Sequence, residues 1–508
     1  MIDSAARIFS PAGQPRRGLR HQHLAKGNVS VSRLRRMAVL ALALLCTFTI
    51  AAGAAVSRML PERLALFRLP SVSQSAIRQP APVLAPASGQ PAGLTGVTSA
   101  GIRAALARLT GPAALGPRTG VEVTSLATGS VLYRRNARAA FAPASTTKLA
   151  TSVAALDLLG PQARFTTRVE AGRRPGTLVL VGGGDPTLAN GRPPAVDYPQ
   201  PATLATLAAR TAAELRTAGV RAVRLGYDTS LYAGPGLAPG WPERYVTGGN
   251  VSPISSLEVD QGRLTAAGQP QDADDPGNFR PRAQDPAAQA AAAFAGQLRR
   301  RGIAVHGPPR QAAGPAGARV LATVTSPPLA QIVQWMLTES NNVIAENLAR
   351  QVAIAAGRPA TFRGAAQAVA GTDRQLGVTG IRLVDGSGLS PRDRITPAAL
   401  VHLISLAASP DRAALRPVLT GLPVAGFSGT LAPGDAGFGA SGRPALGVVR
   451  AKTGNLSTVA TLAGVAYARN GQLLAFAVMA GQVPARDLLA AEADLTGVGA
   501  ALAACGCR

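Results

Sequence analysis

The sequence predicts an α+β chain: an antiparallel sheet flanked by helices, split by an inserted β-rich region. Three observations carry this reading. Strand and hairpin patterns stand near both ends of the folded part, and apolar helical periodicity fills the stretches beside them. Between residues 169 and 326 the texture changes to short β runs rich in Gly and Pro. The length of 508 residues, with 47% hydrophobic and 15% charged side chains, allows a large core. Aromatics supply only 4%, so that core must be built from Ala, Val and Leu.

In chain order, residues 1–36 hold eight Lys/Arg and one Asp, with Arg33, Arg35 and Arg36 at the end. Residues 37–56, MAVLALALLCTFTIAAGAAV, are uncharged and long enough to cross a bilayer. The positive-inside rule keeps the N-terminus cytoplasmic and exports everything after residue 56. Ala52-Gly53-Ala54 offers a cleavage site, but the long basic lead favours an uncleaved anchor in the plasma membrane. Residues 57–99, rich in Pro, Ala, Ser and Gln, read as a linker. One folded unit is expected over 100–168 plus 327–504, interrupted by inserted β-rich domains at 169–326. It opens with a short helix, IRAALARL, and a hairpin, GVEVTSLATGSVLYRRN. After Pro143 a helix begins, with Leu149, Val153 and Leu156 on one apolar face and Ser145 in the first turn. The insertion carries the runs TLVLVGGG and AVRLGYDT, an acidic stretch QDADDPGN and one helical piece, QAAAAFAGQLRRRG. Helices resume from Pro327, with more at 362–376 and 397–408. STVATLAGVAYA and QLLAFAVMAG form a hairpin about Asn470-Gly471, a type I′ signal. LGVVRAKTGN is its neighbouring strand, with Lys452-Thr453-Gly454 at the exposed end.

Of 52 basic side chains only three are lysines, at positions 26, 148 and 452. A lysine amine can lose its proton when buried, whereas a guanidinium stays charged. Lysines kept in so arginine-rich a chain therefore point to an activated serine rather than to a surface role. The formal charge of +26 is scattered, with no aromatic-interleaved basic stripe, and argues against nucleic acid as a partner. A polyanionic envelope suits such a surface better. Cys46 falls in the apolar run, and Cys505 and Cys507 end the chain as a tail. No cysteine lies between them to serve as a nucleophile or a zinc ligand, and the chemistry calls for no cofactor. A Ser-His-Asp hydrolase finds little support: His402 sits in an apolar helical run and reads as core, and His306 lies in a Gly/Pro-rich loop.

Ser145-Thr146-Thr147-Lys148 is an SxxK pattern, which places both side chains on one helical face. Ser340-Asn341-Asn342 fits SxN, and Lys452-Thr453-Gly454 is KTG. The three in this order form the signature of penicillin-binding proteins and class A β-lactamases. With 192 positions separating Lys148 from Ser340, and with GGGDP (Gly182 to Pro186), PGW (Pro239 to Trp241) and VDGSGLS (Val384 to Ser390), the chain resembles the DacB-like class C penicillin-binding D-alanyl-D-alanine carboxypeptidases, peptidase family S13. The resemblance spans roughly residues 100–500 and implies a transpeptidase/β-lactamase-like fold. It implies a serine DD-peptidase that acts on peptidoglycan stem peptides and is acylated by β-lactams. Ser145 would be the nucleophile, Lys148 its base and Ser340 a proton relay. Asn342, Lys452, Thr453 and Gly454 would bind substrate, and the backbone N–H groups of Ser145 and Asn455 would form the oxyanion hole.

The stretch after PGW departs from the family, where an acid usually helps to recognise a stem-peptide amine; Glu243 is the nearest candidate here. Asp385 and Ser387 read either as a tight turn or as the back of the site. Two other functions compete: a β-lactamase, disfavoured by the long insertion, and a non-catalytic wall-binding scaffold, disfavoured by the intact motifs.

Overall fold

The computed structural model describes residues 96–111, 115–191, 198–264, 280–433 and 440–506. The basic segment, the apolar run 37–56 and the linker up to residue 95 lie outside the described residues. No described helix is long and apolar enough to cross a membrane.

Helix α1 (Ser99–Leu106) precedes the hairpin β1 (Arg118–Ser125) and β2 (Val131–Arg135), and α2 (Thr147–Leu159) follows it. Next come β3 (Thr166–Ala171), β4 (Thr177–Val181), α3 (Leu204–Thr217), β5 (Ala222–Asp228) and α4 (Pro286–Arg299). The short β6 (Ala304–Val305) and β7 (Arg310–Gln311) lead to β8 (Val320–Thr325). Helices α5 (Leu329–Thr338), α6 (Asn342–Ala355) and α7 (Phe362–Gln375), the two-residue pair β9 (Ile381–Arg382) and β10 (Arg394–Ile395), and α8 (Pro397–Ala408) follow. The chain closes with β11 (Val449–Leu456), β12 (Val459–Tyr467), β13 (Leu473–Gly481) and α9 (Leu488–Ala504).

Five antiparallel strands in the order β11-β12-β13-β1-β2 form one sheet, so the N-terminal hairpin joins the C-terminal strands through β1 and β13. Alternate residues of β12 and β13 enter two different cores. Ala463, Val465, Ala475 and Met479 meet Val153, Met336, Leu348 and Leu400 of the helical layer. Leu462, Leu474, Phe476 and Val478 meet Ile102, Leu106, Leu495 and Leu502 of α1 and α9. Covered on both faces, these two strands read as continuous apolar runs instead of alternating ones.

The Asn470-Gly471 turn differs from the type I′ expectation, which needs positive φ at both residues; only Gly471 has it, at 78°. Ala468 N–H donates to the Gln472 carbonyl (2.9 Å) and Gly471 N–H to the Ala468 carbonyl (2.9 Å), a longer loop that ends in a left-handed glycine. Helix α2 also departs from a one-faced amphipathic helix. Every residue from Thr147 to Leu156 is buried, because α2 runs through the middle of the helical layer.

Strands β3 to β8 form a second, six-stranded sheet, antiparallel at β3-β4 and β3-β8 and parallel where β4, β6 and β7 pair with β5. The parallel β4-β5 pair needs a crossover, which α3 supplies, so this region is mixed α/β in texture, with two long helices, α3 and α4, among its described residues where the sequence suggested one. Its separate core gathers Leu180, Leu207, Phe294 and Leu298. Two smaller expectations change as well. His402 is exposed on α8, not packed in the core. Cys505, expected in a frayed tail open to oxidation, is disulfide-bonded as that reading allowed, but at 4% exposure it is packed at the end of α9 and not frayed.

Candidate active site

Ser145 sits in a 3₁₀ turn, Ala144–Thr146, that leads directly into α2. Ala144 has φ +48°, a left-handed conformation uncommon for a residue with a Cβ. Two glycines make room for this turn. A Cβ on Gly454 would lie 2.8 Å from the Pro143 carbonyl oxygen and 2.9 Å from Ser145 N, and one on Gly388 would overlap the Ala144 carbonyl. Thr461 Oγ1 donates to the Pro143 carbonyl (2.8 Å), which ties the turn to β12.

Lys148, one turn into the helix, is fully buried. Its Nζ lies 2.9 Å from Ser145 Oγ, 2.7 Å from Asn342 Oδ1 and 2.9 Å from the Ser387 carbonyl oxygen. Burial pushes its ammonium down to about 7, against the charges of Glu346 and Asp385, which pull it up. The arrangement suits the neutral amine. Two N–H bonds satisfy Asn342 and Ser387, and the lone pair is left facing the serine hydroxyl. Lys452 is also fully buried, donates to the Thr453 carbonyl (2.9 Å), and is lowered well below its usual range by burial and then by the charge of Lys148.

Asn341 caps α6, its Oδ1 accepting from Ile344 N–H (3.0 Å), and so fixes Asn342 as the first helical residue. Asn342 Nδ2 donates to the Asn250 carbonyl (2.9 Å). Ser340, half-buried at φ +54°, opens this corner, and its hydroxyl takes part in none of the cluster's hydrogen bonds among the described residues. On β11, Ala451 N–H donates to the Pro423 carbonyl (3.0 Å) and Ala425 N–H to the Val449 carbonyl (3.0 Å). Odd positions of β11 thus point away from β12. The next two, Thr453 and Asn455, have no such backbone partner among the described residues. Thr453 Oγ1 lies 2.7 Å from Thr430 Oγ1.

Behind Lys148 stands a buried acidic group that the sequence did not single out. Glu346, one turn along α6 from Asn342, accepts from Gly386 N–H (3.0 Å) and Ser387 N–H (2.8 Å), and burial raises it to about 8. Asp385 accepts from Gly388 N–H (2.7 Å), Ser390 N–H (2.7 Å) and Trp241 Nε1 (2.9 Å). The 384–390 segment is therefore both a hydrogen-bonded turn and, through the Ser387 carbonyl, a wall of the site. Trp241 of PGW stacks edge-on against Phe362 at 5.2 Å. Only the i, i+4 spacing of Asn342 and Glu346 hinted at this in the sequence.

Glu243 is exposed and enters none of these hydrogen bonds. Its neighbour Arg244 is the one that lines a cavity of about 450 Å³, together with Arg118, Tyr245, Arg394 and Leu456. No acidic residue is among its lining.

The D-Ala-D-Ala carboxypeptidase 3 (S13) family profile matches residues 102–280 and 267–502. A carboxypeptidase DacB of Mycolicibacterium smegmatis is 39% identical over 373 residues, 72% of this chain and 77% of its own length. A D-alanyl-D-alanine carboxypeptidase of Actinomadura sp. is 30% identical over 424 residues, 70% and 76% of the two chains. The crystal structure of penicillin binding protein 4 (dacB) from Haemophilus influenzae superposes with a TM-score of 0.62 at 25% identity, covering 77% of this chain and 98% of its own. A second structure of that protein, complexed with a β-lactam, gives a TM-score of 0.58 at 24% identity. With that fold, and with a serine and a neutralisable lysine joined in one buried cluster, the chain belongs to the D-Ala-D-Ala carboxypeptidase (S13) family and is a serine-type DD-peptidase.

Proposed function

We propose that Ser145 is the acylated residue of this DD-peptidase; the observation that carries the reading is the 2.9 Å contact between Ser145 Oγ and the buried Nζ of Lys148. Ser145 Oγ attacks the carbonyl carbon of the penultimate D-alanine while Lys148 takes the hydroxyl proton. The N–H groups of Ser145 and Asn455 hold the resulting oxyanion. Collapse breaks the C–N bond, and the proton held by Lys148 passes through the Ser340 hydroxyl to the departing amine, which leaves Lys148 neutral again. Water then cleaves the ester, returning a proton through Lys148 to Ser145. Asn342 orients both Lys148 and the substrate peptide. Thr453 and Lys452 receive the terminal carboxylate, whose negative charge favours the protonated form of Lys452.

A substrate laid antiparallel along the open part of β11 meets Lys452 and Thr453 at its carboxylate end and Asn455 at the reacting carbonyl. Residues on its other side then reach the arginine-lined cavity beyond Leu456. This supports Arg244, rather than Glu243, as the side chain that reads the donor. A donor with a side-chain carboxylate should be cleaved faster than its amine analogue; the reverse order would sink this reading of the cavity.

The chain is read as a catalytic unit, 100–168 plus 327–504, interrupted by an inserted domain at 169–326, a reading supported by the separate core around Phe294. It acts at the cell envelope, and residues 37–56 would anchor it to the plasma membrane. Deleting 37–56 should release it from the membrane fraction of cells; an unchanged distribution would refute the anchor.

Intact-mass spectrometry with benzylpenicillin tests the core of the proposal. A persistent one-to-one adduct on Ser145, absent from Ser145→Ala, is expected. Turnover of the adduct within seconds would favour a β-lactamase, and no adduct from folded protein would leave a wall-binding scaffold.

A further inference from the structure

The inserted sheet carries a second cleft, of about 660 Å³, that shares no lining residue with the site around Ser145. Four arginines and a histidine converge on it from four separate segments. Arg173 and Arg174 come from the β3-β4 hairpin, Arg224 from β5, His306 from the loop after β6 and Arg310 from β7. Strand pairing brings them together: Thr177 lies opposite Arg224, and Gly226 opposite Arg310. All five side chains are exposed, and the lining includes no carboxylate.

The state of these guanidiniums separates them from the arginines that the fold itself uses. Arg350 and Arg282 are buried and bonded to backbone carbonyls. Arg168, on the same sheet, pairs with Glu170 at 2.5 Å. Arg173, Arg174, Arg224 and Arg310 have neither a side-chain hydrogen bond nor an ion pair among the described residues. The nearby acids are already engaged: Glu170 by Arg168, and Asp228 by Ser230 N–H and Gly314 N–H, both at 2.7 Å. Like charges gathered in one concavity repel one another and focus a positive potential outward. Each guanidinium presents a planar fork that fits a phosphate or carboxylate.

We propose that this cleft binds a linear polyanion, a wall polymer with repeated phosphate or carboxylate groups, and so holds the enzyme beside its peptidoglycan substrate. The contact involves no covalent step and leaves Ser145 free to react.

Binding of the full chain to two defined probes, a medium-chain polyphosphate and a polyglutamate of matched charge, is measured over a range of salt concentrations. The variant Arg173→Ala/Arg174→Ala/Arg224→Ala/Arg310→Ala should lose tenfold or more in affinity, and its log–log salt slope should flatten by about 3. A control variant, Arg103→Ala/Arg108→Ala/Arg363→Ala/Arg374→Ala, removes the same charge from exposed positions elsewhere and should keep most of the affinity. Tighter binding of polyphosphate would assign the ligand to phosphodiester polymers, and tighter binding of polyglutamate to polycarboxylates. Equal losses in the two variants would reduce the effect to net charge and overturn the proposal, as would the absence of binding to either probe. Unchanged penicillin acylation and an unchanged melting temperature in the cleft variant confirm that it is folded.

Discussion

The two sheets treat cations in opposite ways. Against the five-stranded sheet, Lys148 and Lys452 are fully buried, and burial moves both toward the neutral amine. In the cleft of the inserted sheet Arg173, Arg174, Arg224 and Arg310 are held in solvent, where they stay charged. The strands differ in parallel: β12 and β13 are buried along almost their whole length, while β8 alternates between exposed and buried positions. A cation that must change its protonation state is placed where water is excluded, and one that only attracts is left outside.

The largest test of this contrast is Lys148→Arg, which keeps a cation but removes the base. The rate of benzylpenicillin acylation should fall by roughly 10²–10⁴. Retention within tenfold would mean that Lys148 acts by charge alone, and the contrast would collapse. An intermediate effect is expected in the pH profile. Below about 7 Lys148 carries its proton and cannot accept another, so acylation should rise with pH through that value. Glu346, raised to about 8, keeps most of its proton at that midpoint, so Glu346→Gln should move it only slightly and to lower pH; a shift upward would mean that Glu346 acts mainly by holding Gly386 and Ser387. The smallest effects compare the sheets directly. Val478→Ala, in the doubly covered β13, should cost about 2 kcal/mol in denaturant unfolding. Val320→Ala, 46% exposed on β8, should stay within about 0.5 kcal/mol. Equal costs would mean that the inserted sheet is covered by more than the described residues provide.

Sequence reading reached the site where chemistry is local. Ser145 and Lys148 are three residues apart on one helical turn, and the scarcity of lysine marked both Lys148 and Lys452. It missed what only tertiary contact creates. Glu346 gains its place from two N–H groups 40 and 41 positions away, which no local pattern announces. The left-handed backbone at Ala144 and Ser340 was hidden because neither residue type favours it. His402 was taken for core because Ala and Leu surround it, although its own position on α8 faces water. Helix α2 shows the reverse error: Leu149, Val153 and Leu156 suggested a single apolar face, yet Thr151 and Ser152 are buried too and donate to the carbonyls of Gly386 and Lys148. Helix α3 escaped notice because the insertion was judged by its Gly and Pro content.

The pairing of β1 with β13 also bears on how the molecule comes into being. A chain that emerges from its N-terminus presents β1 early, and the strand that covers its edge comes close to last. Until Leu473–Gly481 arrives, β1 has only β2 beside it, and a lone hairpin is marginal in water. The inserted sheet has all its strands in hand by Thr325 and can gather its core without waiting. Assembly should therefore run from the middle outward, with the reactive serine the last part to take shape. A nascent chain stopped before Leu473 would hold a finished insertion on an unclosed frame, with an open strand edge free to pair with another chain.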